Sequence, residues 1–206
     1  MSTKKIALFG DGLIMRRVAE EALKRGHIVT AVVRITNEFK VMHPRLKIVS
    51  GDIMNRSEVG KYARGHDVVI CVHEPTLSHP QRHIDANRAI IEGSRNAGIE
   101  HIVSFGYPIS VKLENSREFH ELWKPMVEAQ SETLKLFKNQ KGLQWGYMHS
   151  VELNPGKKTS KYSISNEIRL SSPDGRSKVN MDQLTKTILD EAERKEYVWE
   201  VSATHL

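Results

Sequence analysis

Short apolar runs recur along the first hundred positions, and stretches with helical spacing separate them. The runs are Ile6–Phe9, Ile28–Val33, Leu46–Val49, Asp67–Val72 and His101–Phe105. Consecutive apolar positions fit parallel strands covered on both faces. Between the first two, Ile14, Val18, Ala22 and Leu23 share a helical face, and Arg25-Gly26 supplies a basic last turn and a terminating glycine. Ser57–Ala63 predicts a short helix, and Gln81–Ala97 a long one that stops at Gly98. Alternation at this pitch predicts right-handed βαβ units and a doubly wound α/β fold. Ligands of such sheets bind at the carboxyl ends of the strands, here Gly10, Arg34, Asp52, His73 and Gly106.

The second half is less regular. Glu118–Lys138 predicts a long helix, with Pro125 as an internal start or kink. Leu143–Met148 predicts a sixth strand, and residues 150–180 mix Gly, Pro, Ser and Lys with short β-like pieces such as Tyr162–Ile164. Met181–Arg194 predicts a last helix capped by Asp182 or Asn180, and Tyr197–Val201 a last strand. Residues 1–206 read as a single domain in which 107–206 supply the substrate-side elements. A chain of this length buries a core without metal or disulfide staples.

Gly10-Asp11-Gly12-Leu13-Ile14-Met15 follows the first strand and opens the first helix. In a Rossmann unit that is the place of a dinucleotide loop. Gly10 permits the turn, Gly12 lets backbone approach a pyrophosphate, and the helix N-terminus supplies a positive field. Met15 replaces the third glycine of G-x-G-x-x-G, so it is expected to push the helix outward from the sheet. Asp11 has two readings, a helix cap or a charge that repels pyrophosphate. The second strand ends at Arg34 where an acid would read a ribose 2′-hydroxyl. A guanidinium there suits a 2′-phosphate, which favours NADPH over NADH. Arg16 and Arg17 either add to that pocket or are surface arginines.

Composition narrows the classes. The chain holds 31 Lys and Arg against 25 Asp and Glu, a formal charge of +6. Most bases alternate with acids, and Lys157, Lys158 and Lys161 form the only dense cluster, which argues against nucleic acid as a partner. The single cysteine, Cys71, excludes an internal disulfide and multi-cysteine metal sites, and it reads as a small core residue. No apolar run approaches the ~18 residues of a membrane span, and the N-terminus lacks a signal-peptide pattern, so a cytoplasmic protein with no membrane partner is expected. His79-x-x-x-His83 has helical metal spacing, but Pro80 intervenes, and no metal is expected. Met126, Leu134 and Phe137 look like a packing stripe. No G-x-S-x-G elbow is present, which argues against a hydrolase.

Several stretches carry a family resemblance: Lys5–Gly10, Glu20–Arg34, Val49–Ile53, Gly65–Ile70, Ile90–Val103, Trp123–Pro125, Asn154–Gly156 and Lys178–Asp182. With them the chain resembles the atypical short-chain dehydrogenase/reductases. It is most similar to their small NmrA-like, NAD(P)H-binding group, which includes NADH-flavin reductases and relatives of NAD-dependent epimerase/dehydratases. The resemblance implies that Gly10 begins a G-x-x-G-x-x-G loop, whose other two glycine positions hold Leu13 and Arg16. It implies that Arg34 meets a 2′-phosphate, that Asp52 and Ile53 flank adenine, and that His73 and Glu74 stand beside the nicotinamide ribose. The larger relatives use Tyr-x-x-x-Lys, which is absent here. Ser104 stands where they place a catalytic Ser, Tyr107 follows in the same loop, and some atypical relatives use a Lys at the position of Lys124.

The expectation is therefore an NAD(P)H-dependent oxidoreductase acting on a small organic or flavin-like substrate, as a monomer or homodimer. Tyr107, Lys124 and Ser104 are the candidate catalytic residues. Gly10, Gly12, Leu13, Ile14, Met15, Arg34, Asp52, Ile53, His73 and Glu74 are the candidate cofactor residues. The alternatives are a cofactor-sensing regulator or pseudo-enzyme with no turnover, and a lyase or isomerase using His73, Glu74 and Tyr107 as acid–base groups; the cofactor is NADPH before NADH, or none.

Overall fold

The computed structural model describes residues 2–73, 76–106, 117–150, 153–154, 162–165, 179–194 and 200–205. Of residues 117–123, 149–150, 153–154, 162–165, 179–180, 183 and 200–205 the backbone path alone is described. In chain order the elements are β1 (Lys5–Gly10), α1 (Gly12–Lys24), β2 (Ile28–Val33), β3 (Leu46–Ser50), α2 (Arg56–Ala63), β4 (Val68–Val72), α3 (Gln81–Asn96) and β5 (His101–Gly106). They continue with α4 (Arg117–Lys138), β6 (Gln144–Ser150), β7 (Leu153–Asn154), β8 (Tyr162–Ser165), β9 (Val179–Asn180), α5 (Met181–Glu193) and β10 (Glu200–His205).

Among the described residues eight strands form the main sheet, in the order β3-β2-β1-β4-β5-β6-β10-β8. Every neighbouring pair is parallel except β10 with β8. β7 and β9 form a separate parallel pair. The chain winds outward in both directions from β1 and β4, so the crevice of a doubly wound sheet opens where those two strands end. The fold is the expected Rossmann-like one.

Alternation along the strands divides the core. Ile6, Leu8, Ile70, Val72 and Phe105 pack with α1 and α5, through Val18, Ala22, Leu184 and Ile188. Ala7, Phe9, Cys71, Ile102 and Tyr147 pack with α2, α3 and α4, through Val59, Ile90 and Phe137. Each strand is thus apolar on both faces, which explains its uninterrupted hydrophobic run. Cys71 is fully buried, and that burial pushes its thiol up to about 12.

Met15 is fully buried in the core between α1 and the sheet, where its side chain spaces the two. A flexible thioether fills that space where a glycine would have left it for closer backbone approach. The last strand is described over Glu200–His205 and runs past the expected Val201; its parallel register sets Glu200 beside Tyr147 and Ala203 beside Ser150. Residues 197–199 of the expected span lie outside the described residues. The last helix ends at Glu193, and Asn180 directly precedes its first residue. Elsewhere a short helix has a clear cause: the Asn55 side chain accepts from the Ser57 and Glu58 N–H groups at the start of α2.

α1 and α5 are also joined by ions. Arg25 donates to Asp190 at 2.7 Å and to Glu21 at 3.0 Å, and His27 Nε2 lies 2.7 Å from Glu193. Arg17 pairs with Glu20 at 3.8 Å and lines the groove with Lys24, Asp182 and Lys186. It therefore faces α5, and Arg16 turns its Nε back to the Gly12 carbonyl at 3.4 Å. Arg17 is thereby turned toward α5, while Arg16 stays at the start of the helix.

Glu191 is the buried acid of α5, 3% exposed, with Arg194 Nε 3.5 Å from its Oε2. Burial pushes its carboxyl up to about 7. A carboxyl whose folded pKa is raised binds its proton more tightly in the native state. Its contribution to stability is complete below about pH 4.5 and is lost as pH rises through about 7. Glu191→Gln should flatten that dependence and gain about 2 kcal/mol over the wild type at pH 8, measured by urea denaturation at pH 5 and pH 8. Equal pH slopes for the two proteins would contradict this assignment.

Candidate functional site

The site is built at the carboxyl ends of β1, β2, β4 and β5. β1 ends at Gly10 with φ of +139°. A Cβ there would lie 1.9 Å from the Val72 carbonyl oxygen of β4. The turn therefore needs glycine because two central strands converge under it. Gly12, with φ of +77°, has open space where a Cβ would stand. It begins α1, whose first turn holds no acid, and Asp11 makes no capping hydrogen bond. The leading N–H groups of α1 thus face an open cradle, the arrangement that holds a phosphate. Ile14 and Met15 are buried, so their side chains belong to the core and only their backbone can serve a ligand. Leu13 is 53% exposed at the mouth of the loop.

Arg34 follows β2 directly and is exposed. Its Nη2 lies 3.9 Å from Asp11 Oδ2. Asp11 therefore does not cap the helix; its carboxylate faces the guanidinium across the ends of β1 and β2. The turn after β3 is pinned from α2. Glu58 accepts the Asp52 N–H at 2.8 Å, and the Tyr62 hydroxyl donates to the Ser50 carbonyl at 2.9 Å. Asp52 is exposed and its Oδ1 accepts the Met54 N–H at 2.9 Å, while Ile53 is half-buried. A carboxylate and an apolar side chain stand there side by side, suited to an amino-bearing base.

His73 directly follows β4 and is half-buried. Burial holds its imidazole below the usual histidine range, Asp11 opposes that shift, and Arg82 and Arg34 add to it. Asp11, Arg34 and Arg82 therefore all act on one histidine at the mouth of the crevice.

Beneath it lies a polar network that no sequence motif announced. His83 of α3 is fully buried, and burial pushes its imidazole down to about 3. Its Nδ1 is 3.1 Å from the His73 carbonyl oxygen and its Nε2 is 2.9 Å from the Tyr147 hydroxyl. A carbonyl only accepts, so the neutral ring carries its proton on Nδ1 and Tyr147 donates to Nε2. One turn along, Asn87 donates to the His83 carbonyl at 2.8 Å, and the Ser104 hydroxyl donates to Asn87 Oδ1 at 2.5 Å. Tyr147 and Ser104 are register partners on β6 and β5. The Tyr147 hydroxyl occupies the space beside Gly106, 2.3 Å from where a Cβ would stand. Its only sequence trace was His83 and Asn87 four residues apart on an otherwise apolar helix face.

This network corrects one catalytic candidate. Ser104 is fully buried and engaged by Asn87, so it is a core hydroxyl rather than a pocket group. Lys124 lies exposed on α4. Tyr107, Glu74 and the Lys157–Lys161 cluster lie outside the described residues. Among the described residues no group of three His, Cys, Asp or Glu side chains could hold a metal ion.

Residues 10–195 match the sequence profile of a family described as NAD(P)H-binding. The chain belongs to the NAD(P)H-binding family. Leu13 and Arg16 stand where the resemblance places loop glycines, and Gly12 begins the helix. YwnB of Bacillus subtilis is 25% identical over 204 residues, 94% of each chain. A solved structure from Bacteroides thetaiotaomicron, provisionally named an epimerase, is 26% identical with a TM-score of 0.86, covering 100% of this chain and 98% of that one. A Streptococcus pneumoniae structure, provisionally named an NADH-flavin reductase, has a TM-score of 0.76 at 22% identity, covering 98% and 100%. That last likeness shows the fold.

Proposed function

We propose that this NAD(P)H-binding chain is an oxidoreductase that favours NADPH and reduces a small organic or flavin-like substrate. The observation that carries the reading is the Gly12 cradle at the start of α1 with Arg34 exposed beside it. The family match and the reductase name of the pneumococcal neighbour support it. When bound, the nicotinamide supplies a hydride. The chain's residues do the rest. Backbone N–H groups of α1 hold the pyrophosphate, Arg34 forks onto the 2′-phosphate, and Asp52 with Ile53 receives the adenine.

The buried network fixes the floor. His83 holds the His73 carbonyl at the end of β4, and Tyr147 sits against Gly106 at the end of β5. Ser104 holds Asn87 in that network. Proton supply falls to groups at the surface of the crevice, and Tyr107 and Lys124 remain our candidates. A flavin-like acceptor asks least of them. A cytoplasmic setting belongs to the proposal, since a nicotinamide pool and a buried free thiol suit a reducing compartment.

Leu13 favours a second reading. An exposed apolar side chain at the loop mouth, where relatives carry glycine, suits a cofactor-sensing protein without turnover.

Calorimetric titration with NADPH and NADH tests the first requirement of both. NADPH should bind more tightly, and Arg34→Ala should weaken it about tenfold or more while leaving NADH nearly unchanged. Failure of both cofactors to bind at millimolar concentration would remove the dinucleotide reading. Reductase assays with flavin and quinone acceptors then separate an enzyme from a sensor.

A further inference from the structure

The end of β2 offers a ribose an arginine, and Arg34 is followed by Ile35, which is 49% exposed. No acid stands at that strand end to read a 2′-hydroxyl, the usual device for the unphosphorylated cofactor. A carboxylate nonetheless reaches the same place from the neighbouring strand. Asp11 lies between β1 and α1, its backbone is extended, and its side chain makes no capping bond to the helix it precedes. It is 56% exposed and directed at Arg34, which is 66% exposed, across 3.9 Å. A pair that open and that long is weakly held. The two side chains can therefore be separated by a ligand that competes for either one.

We propose that Asp11 and Arg34 form a paired reader of the adenosine ribose, Arg34 engaging a 2′-phosphate and Asp11 accepting from a 2′-hydroxyl. One crevice then takes both NADPH and NADH. The inference rests on the dinucleotide-binding reading above and goes beyond it by assigning the discrimination to a loop acid. The reasoning is electrostatic. A 2′-phosphate draws Arg34 away from Asp11 and is then repelled by the carboxylate beside it. A 2′-hydroxyl leaves the ion pair intact and donates to its acid. Asp11 thus opposes the preference that Arg34 creates, and the wild-type ratio of affinities is modest.

The test is calorimetry on the full chain with NADPH and NADH, and with adenosine 2′,5′-bisphosphate against AMP. The second pair of probes removes the pyrophosphate bridge and the nicotinamide, leaving the adenosine end. Asp11→Asn keeps the side-chain volume and, with no cap bond to lose, should keep the thermal midpoint. It should raise the NADPH-to-NADH affinity ratio about fivefold or more, the scale of one like charge removed from a partly exposed site. The bisphosphate-to-AMP ratio should move the same way. Arg34→Ala should lower both ratios, and the double variant should discriminate little.

Equal changes in the two dinucleotides would show that Asp11 acts on the shared pyrophosphate alone, and would overturn the inference. So would an unchanged ratio. If the wild type binds neither dinucleotide, the dinucleotide reading itself fails. If it binds both and only the Asp11→Asn ratio stays flat, the reading survives without the paired reader.

Discussion

Gly10→Ala should cost about 3 kcal/mol or more and should abolish NADPH binding at accessible concentrations. The methyl would stand 1.9 Å from the Val72 carbonyl oxygen and 2.7 Å from its carbon. Both partners are backbone at the centre of an eight-stranded sheet, so neither yields as a side-chain tip would. The backbone would also have to keep φ near +139°, which an L side chain resists. Relief requires β1 to separate from β4 at the point where the crevice opens. Urea denaturation at pH 7 reads the stability, and calorimetry reads the binding. Gly12→Ala is the control, because its Cβ meets nothing within 4 Å. It should lose about 1 kcal/mol of stability from its positive φ, yet lose binding much more, since the methyl fills the phosphate cradle. A Gly10→Ala protein within about 1 kcal/mol of the wild type would refute the close approach.

Tyr147→Phe should cost about 1–3 kcal/mol although it removes a single oxygen. The ring keeps its packing against Phe137, whose centroid lies 5.8 Å away. What is lost is the donor to Nε2 of His83, a nitrogen in a fully buried ring. That ring does not recruit a solvent proton at pH 7, because burial holds its pKa at about 3. Asn87 Nδ2, 3.5 Å away, is the remaining donor, so the buried nitrogen is left poorly paired and keeps much of its desolvation cost.

The same network sets an acid limit. A histidine with a depressed folded pKa contributes stability above about pH 6.5, and that contribution is lost as pH falls toward about 3. This slope is opposite in sign to that of Glu191. Nitrogen chemical shifts of His83 should report a neutral Nδ1–H tautomer in the wild type. A Tyr147→Phe variant as stable as the wild type, or the opposite tautomer, would contradict the network.

Much of this was legible because it was local or periodic. The apolar runs at Ile6–Phe9 and Asp67–Val72 gave parallel strands because both faces of each are covered, by α1 and α5 on one side and α2, α3 and α4 on the other. Gly10, Gly12 and Arg34 were legible because a strand–turn–helix unit places them within a few residues of a strand end. The loop residue Asp11 and the hydroxyl of Ser104 were read with less success. Their roles depend on partners 23 and 17 positions away, Arg34 and Asn87, which no spacing rule connects. Met15 was legible as the side chain between α1 and the sheet, because the glycine rule marks that contact.

The sequence by itself determined the winding of the chain, the strand ends where a ligand binds and the loop that receives a phosphate, since each follows from periodicity, turn chemistry and handedness. Only the tertiary structure decided that His83, Asn87, Ser104 and Tyr147 meet beneath that crevice and that Asp11 faces Arg34 across it. Those contacts join separate elements, and their energies come from burial and from partners that exist only once the sheet has closed around them.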